Sequence, residues 1–376
     1  NQYYIDQFVE RREQLLQEIL QSLDADSRAA LALIYMRNGR LESPVKLQLS
    51  ETQALERLGS DLGRCILALE ALRGSLVLFS HASGESAWQF KHPTIGDAYA
   101  TLLMQSPEHL DIFIQGSAPD RLIDQVTCGD VGLEKAIVVP KSLFPPMLAR
   151  LREMLQSRSY KTAWLSTFGA KRDLQGFLAN RCSKEFLSLY LKDNPDLLDQ
   201  VSEPGLFLDT VPEVRLAKRL HRFGLLPEAK RKKFVGTVST YALDGQDGDA
   251  LDDDGIQSLF TSEEFEELVH RVRTELLPRL DDVRHEWESN HSAGEPPDEH
   301  MQQLLEFFSS VKERFMDDEG TVKLIDRQIE RTNEWIDENT PEEPERSPRK
   351  LGKIETPAES RSARSIFDDI DANEDA

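Results

Sequence analysis

The run Trp88-Gln89-Phe90-Lys91-His92-Pro93-Thr94-Ile95 decides how this chain is read. Ahead of Pro93, two apolar stretches, Ser75–Phe79 and Ala87–Lys91, flank the polar His81-Ala82-Ser83-Gly84-Glu85, which is the pattern of a β-hairpin. Behind His92, Pro93 suits the first turn of a helix, where its missing N–H is no loss. Asp97 lies near the positive helix end, and Ala98, Leu102 and Leu103 recur on one face. His92 therefore falls where a strand hands over to a helix N-terminus. Unpaired N–H groups and the helix dipole gather there and favour an anion. Spacing leaves two readings open: a histidine that only caps the turn, or one that also touches an anion.

Working back from the hairpin, residues 6–23 set Phe8, Leu15, Ile19 and Leu23 at helical spacing. Asp24 or Asp26 is expected to cap a helix over Ser27–Met36, closed by Asn38-Gly39. Ser50 then opens a short helix to Leu58, and Gly59-Ser60 breaks it. Asp61–Arg73 forms the next, with Leu62, Ile66, Leu69 and Leu72 inward, and Gly74 ends it. Helices followed by a two-stranded wing give the order of a winged-helix domain, expected over residues 1–105 with the N-terminal helix. The fourth helix, Asp61–Arg73, sets Arg64 and Arg73 against Asp61 and Glu70, so it offers no basic face to a DNA groove. Packing against protein fits that charge balance better.

Beyond Pro93 the pattern is helical almost throughout. Segments 106–115, 118–126, 141–157, 161–169, 171–180, 183–192 and 212–223 each show short amphipathic periods broken by Pro, Gly or Asn. One strand-like run, Ala136-Ile137-Val138-Val139, interrupts them. Residues 106–235 are thus expected to form a helical array, and 236–340 a C-terminal helical region. The Asp-rich stretch 244–255 misses calcium-loop spacing, since Gly255 at the sixth place puts Ala250 first and Thr261 twelfth; it reads as an acidic surface loop. Thr261 opens a long helix to about Pro278, and helices over 279–290 and 297–339 follow. Residues 341–376 turn to Pro, Ser, Arg and acids and read as a disordered acidic tail. The fold class expected is mainly α, with one small β-hairpin.

Composition narrows the function. The 376 residues carry a net charge of −22, which argues against a generic nucleic-acid coat. Cys65, Cys128 and Cys182 are widely spaced and belong to no C-x-x-C pair, so neither a zinc site nor a disulfide framework is expected. A reduced, cytoplasmic setting fits them. No stretch reaches the roughly 18 apolar residues of a membrane span, so no membrane partner is expected. Asn1 opens inside a helical pattern, which suggests a piece of a longer polypeptide.

There is no G-x-x-x-x-G-K-[ST] phosphate loop, no apolar strand ending in paired acids for Mg²⁺, and no G-x-S-x-G or H-E-x-x-H. No catalytic residue, metal site or cofactor is expected in these residues, and the chain is not expected to be an enzyme on its own. One patch stands out in the acidic background. Between Val214 and Phe234 lie Arg215, Lys218, Arg219, Arg222, Lys230, Arg231, Lys232 and Lys233, opposed by Glu228 alone. Arg215, Lys218, Arg219 and Arg222 share one helical face, with Leu216, Leu220 and Phe223 inward. The stripe suits an anion or partner: nucleic acid, an acidic protein surface, or the chain's own 244–255 loop, which is favoured.

Phe90-x-His92-Pro93-Thr94-Ile95-Gly96-Asp97-Ala98, together with the helix and hairpin order, resembles the segment that follows the ATPase core in bacterial STAND NTPases. It is most similar to the third-subgroup type of novel-STAND proteins, whose winged helix ends in an F-x-H-P-T-I-x-D-A run. Val126-Thr127-Cys128-Gly129, Arg231-x-x-Phe234-Val235 and Leu259-Phe260-Thr261-Ser262-Glu263-Glu264 echo the same group, and the resemblance covers about 1–290. It implies a signal-transducing ATPase of defence or stress response. An upstream NTPase domain of the full-length parent would hold ATP or ADP with Mg²⁺, and His92 would contact the ADP β-phosphate. The helical array would sense an unknown protein trigger, with homo-oligomerisation on activation. Where other members read Met-His-Asp, this chain has Lys91-His92-Pro93. Two other classes remain open: a nucleic-acid-binding winged-helix adaptor, and a helical scaffold without nucleotide switching.

Overall fold

The computed structural model describes residues 14–82, 84–134, 136–156, 164–292 and 294–340. The chain is mainly helical, with one small antiparallel sheet, as the patterning predicts. Helix α1 (14–22) leads into α2 (Ala25–Met36), which is buried on nearly every side through Ala29, Ala30, Leu31, Leu33 and Ile34. An all-round apolar helix belongs at the centre of a core, and α2 takes that place. Asp24 caps it by accepting from the Ser27 amide at 2.7 Å, while Asp26 accepts the Ser60 hydroxyl at 2.7 Å.

Strand β1 (Arg40–Ser43) follows, then α3 (Leu49–Arg57), α4 (Leu62–Leu72), β2 (Val77–Ala82) and β3 (Glu85–Phe90). The sheet order is β1-β3-β2, antiparallel throughout, with Leu41 opposite Trp88 and Phe79 opposite Trp88 from the other side. The third strand, β1, is an addition to the expected hairpin. Only Leu41 of its four residues is apolar, and that side chain is fully buried. The hairpin strands also run further than expected, to Ala82 and Glu85, so the loop between them shortens; Gly84 adopts φ +83°, a conformation glycine reaches at little cost. Ser50 is not the cap of α3. Gln48 caps it, with Glu51 returning to the Gln48 amide at 2.8 Å, and Ser50 donates to the Gly116 carbonyl instead.

Helices α5 (Pro93–Gln105), α6 (Pro107–Gly116) and α7 (Pro119–Gln125) each start on proline. A two-stranded parallel sheet, β4 (Val126–Cys128) with β5 (Ile137–Val139), then buries Val126, Cys128, Ile137 and Val139 completely. After α8 (Phe144–Gln156), the two segments expected over 161–169 and 171–180 form one continuous α9 (Trp164–Arg181) within the described residues. Then come α10 (Lys184–Asp193), α11 (Leu197–Ser202), α12 (Pro212–Arg222) and α13 (Glu228–Leu243). A division at 235/236 would cut α13, and the buried apolar side chains form one continuous cluster from Leu20 to Ile325.

The Asp-rich stretch is not a solvated loop. It forms two single-turn helices, α14 (Asp249–Asp252) and α15 (Asp254–Gln257), with Ala250, Leu251 and Ile256 buried. These apolar side chains hold a segment that its six aspartates would leave in water. Helix α16 (Ser262–Arg271) has the expected Thr261 capping box with Glu264, then widens into a π-turn over Val272–Leu276 and a 3₁₀ turn over Leu277–Arg279. The chain ends in α17 (Leu280–Asn290), α18 (Pro297–Arg314) and α19 (Glu319–Asn339). The single helix expected over 297–339 is broken between Arg314 and Glu319, where Asp318 caps α19 through the Thr321 amide. No helix among the described residues is long and apolar enough to cross a membrane. The tail expected over 341–376 and the start of the first helix, 6–13, lie outside the described residues.

Candidate functional site

His92 is the N-cap of α5. Its Nδ1 lies 3.3 Å from the Thr94 amide and 2.9 Å from the Thr94 hydroxyl, and the ring is exposed. An Nδ1 that accepts from the backbone puts the proton of a neutral ring on Nε2. The nitrogen left over is therefore a donor, suited to an anionic oxygen. The amides around it are partly used: Pro93 has none, Thr94 gives its own to the ring, and Ile95 donates to the His92 carbonyl at 3.0 Å. Lys91 turns back to the Gly74 carbonyl, which ties the hairpin to the end of α4. Phe90, next to it, packs on Tyr35 of α2 with ring centroids 6.3 Å apart.

The basic stripe is divided between α12 and α13, and most of it is bound within the chain. Arg215 donates to the Thr210 carbonyl at 3.3 Å. Lys218 pairs with Asp253 at 2.7 Å; burial alone would raise that carboxyl, but the ammonium and the Ile256 amide outweigh it and hold it below its usual range. Arg219 sends Nε and a terminal nitrogen to the Cys182 carbonyl, at 3.1 and 2.6 Å, and stacks on Phe223 with Arg222. Its own pKa is lowered, by burial first and Arg222 second. Lys230 pairs with Asp199, and Lys233 with Glu203 at 2.7 Å. Lys232 is exposed, with no ion pair among the described residues.

Arg231 is the buried member, with its side chain 5% exposed. It forks onto Glu264 at 2.6 and 2.9 Å, onto Glu228 at 2.6 and 2.8 Å, and reaches the Leu259 carbonyl. Those two carboxylates push the guanidinium pKa up, and Arg231 brings Glu264 down to about 2. Of the eight cations, one meets the 244–255 stretch; the rest find carbonyls, other carboxylates, an aromatic ring or water. The favoured pairing of the whole stripe with that stretch reduces to Lys218–Asp253.

Two groupings were invisible in the sequence. Cys128 and Cys182 are bridged backbone to backbone, with the Ser183 amide donating to the Cys128 carbonyl at 2.8 Å. Both thiols are fully buried, and burial, with Cys182 beside it, pushes Cys128 up. Asp209, Asp247, Asp249, Asp252 and Glu306 line one cleft between the 207–209 turn, α14 and α18. Burial, then Asp247, Asp252 and Asp209, raise Asp249 to about 7. Among the described residues no set of three or more His, Cys, Asp or Glu is arranged to hold a metal ion. Comparison with protein-family models, with curated proteins and with solved structures returned no match.

Proposed function

We propose that this chain is the regulatory and sensor portion of a STAND-type signalling ATPase. Residues 25–90 act as a protein-packing winged helix, and the helices behind them meet the trigger. The observation that carries this is the His92 cap: Nδ1 is engaged by Thr94, which leaves an exposed Nε2–H donor at a helix start. Such a donor suits a diphosphate oxygen presented by a neighbouring nucleotide-binding domain. The order helix, strand, helix, helix, hairpin, with β1 joining β3, is consistent with a winged helix. ATP, ADP and Mg²⁺ would be held by the ATPase domain, with these residues supplying one phosphate contact.

The nucleic-acid alternative finds little support in the charge distribution. On α4, Arg64 is tied to Asp61 and Asp26, and Arg73 to Glu70. On α12 and α13, Lys218, Lys230, Arg231 and Lys233 are paired with carboxylates. A phosphate backbone would have to displace those partners. The coding sequence upstream of Asn1 gives the test. A G-x-x-x-x-G-K-[ST] loop followed by an apolar strand ending in acids is expected there, and an initiation codon or an unrelated domain would contradict the assignment.

A further inference from the structure

A cavity of about 230 Å³ opens between α1, α2, α5 and the start of α6. Its walls are mostly apolar: Leu20, Leu31, Leu58 and Leu102 contribute to them. Tyr99 completes the wall. It is 9% exposed, and its hydroxyl makes no hydrogen bond among the described residues. The hydroxyl is not sealed from solvent, so it is free to donate to a group that enters the cavity. Burial pushes the Tyr99 phenol up, so it is a donor across the physiological range. Arg28 also lines the cavity, close enough to Tyr99 to act on it electrostatically, and has no ion pair among the described residues. Gln21 and Gln105 meet at 3.4 Å along the rim.

Asp and Glu number 67 of 376 residues, yet among the described residues none of them lines it. The charged group present is a cation, and the buried polar group is a donor. The volume is below the range of about 300–1,000 Å³ usual for drug-sized ligands, so the fitting molecule is small.

We infer that this cavity binds a small organic monocarboxylate, with its hydrocarbon part among the leucines and its carboxylate between the Arg28 guanidinium and the Tyr99 hydroxyl. A planar guanidinium and a neutral phenol both donate to carboxylate oxygens, and the apolar walls reward a short chain or a single ring. An amide or alcohol of the same shape keeps the apolar contacts but loses the charge-assisted bond. Binding at this site is independent of the ATPase assignment, because it needs only these residues.

The test is calorimetric titration of the full chain with benzoate and octanoate, beside benzamide and octanol. At least one acid is expected to bind saturably at one site, and its neutral counterpart about tenfold more weakly. Arg28→Gln changes an exposed side chain, and Tyr99→Phe removes only the hydroxyl, so both variants keep the packing. Each is expected to weaken the acid several-fold, and Arg28→Gln to remove the preference for the acid over its neutral counterpart. Absence of saturable binding by both acids would overturn the site. So would acids that bind both variants as tightly as wild type, or neutral counterparts that bind as tightly as the acids.

Discussion

Arg231 of α13 and Glu264 of α16 face each other as a fork on a fork, with N–O distances of 2.6 and 2.9 Å. Glu264 also caps its own helix by accepting from the Thr261 amide at 2.9 Å. One carboxylate therefore fixes both the start of α16 and its dock on α13, and Arg231 adds the Leu259 carbonyl from the turn between them. Removing the guanidinium takes the charge partner from Glu264, whose side chain is 27% exposed, and the donor from the Leu259 carbonyl. Arg231→Met is expected to cost about 2–4 kcal/mol in urea unfolding. Glu264 titrates near 2 when folded, below its ordinary value of 4.5. A depressed carboxylate stabilises in full above that ordinary value and loses its contribution as pH falls through the folded one. The gap between wild type and Arg231→Met is thus expected to narrow between pH 4.5 and 2, and a gap constant over that range would show that Glu264 is not the partner that matters.

The neighbouring lysines separate surface charge from buried charge. Lys230 and Lys233 pair with exposed carboxylates, and Lys232 pairs with none among the described residues. Exposed pairs contribute about 0–1 kcal/mol each. Lys232→Glu is expected to leave the unfolding midpoint unchanged, and Lys230→Glu with Lys233→Glu to lower stability by less than about 2 kcal/mol together. Wild type is expected to show no steep salt-dependent DNA or RNA binding. A strong salt slope that the Lys230, Lys232 and Lys233 changes abolish at unchanged melting temperature would favour the nucleic-acid adaptor instead.

Asp249 gives the opposite pH signature from Glu264. Its folded pKa, about 7, lies above the ordinary 3.8, because burial and then Asp247, Asp252 and Asp209 disfavour the charge. A raised carboxyl stabilises in full below its ordinary value and loses that contribution as pH rises through the folded one. Asp249→Asn is therefore expected to melt above wild type by a margin that is small at pH 5 and grows to several degrees at pH 8. A melting difference that does not grow with pH would mean that a cation occupies the cleft or that the carboxyl reaches water.

All three cysteines are buried and free. Burial pushes the Cys65 and Cys128 thiols up, which removes the thiolate that reacts. In folded protein no cysteine is expected to react with Ellman's reagent over minutes, and three per chain are expected in denaturant. Rapid reaction of one thiol in the folded state would place it at the surface.

What the sequence disclosed depended on how local the cause was. Asp61 and Thr261 announce their helices because a cap needs only residues three apart. The strand Arg40–Ser43 went unseen because a four-residue edge with one apolar side chain has no period to read. Cys128 and Cys182 meet across 54 positions, and nothing local marks either of them. The 244–255 stretch misled for a related reason: its aspartates dominate the composition, while Ala250 and Leu251 decide where it goes. His92 was legible as a cap from Pro93 and the strand before it, but its tautomer depends on Thr94 geometry. The carboxylate partners of the basic stripe, apart from Glu228, lie on other elements, so spacing alone could not assign them.

ADP release tests the central claim most directly, measured on the polypeptide that joins these residues to the ATPase domain the claim requires. His92→Ala removes the Nε2–H donor, and a buried, charge-assisted hydrogen bond is worth about 1–3 kcal/mol. His92→Ala is expected to release ADP about tenfold faster or more, and Thr94→Val, which frees Nδ1 from the hydroxyl, a few-fold faster. Equal ADP release from wild type and His92→Ala, with both proteins equally folded, would contradict the claim and leave His92 as the cap of its helix.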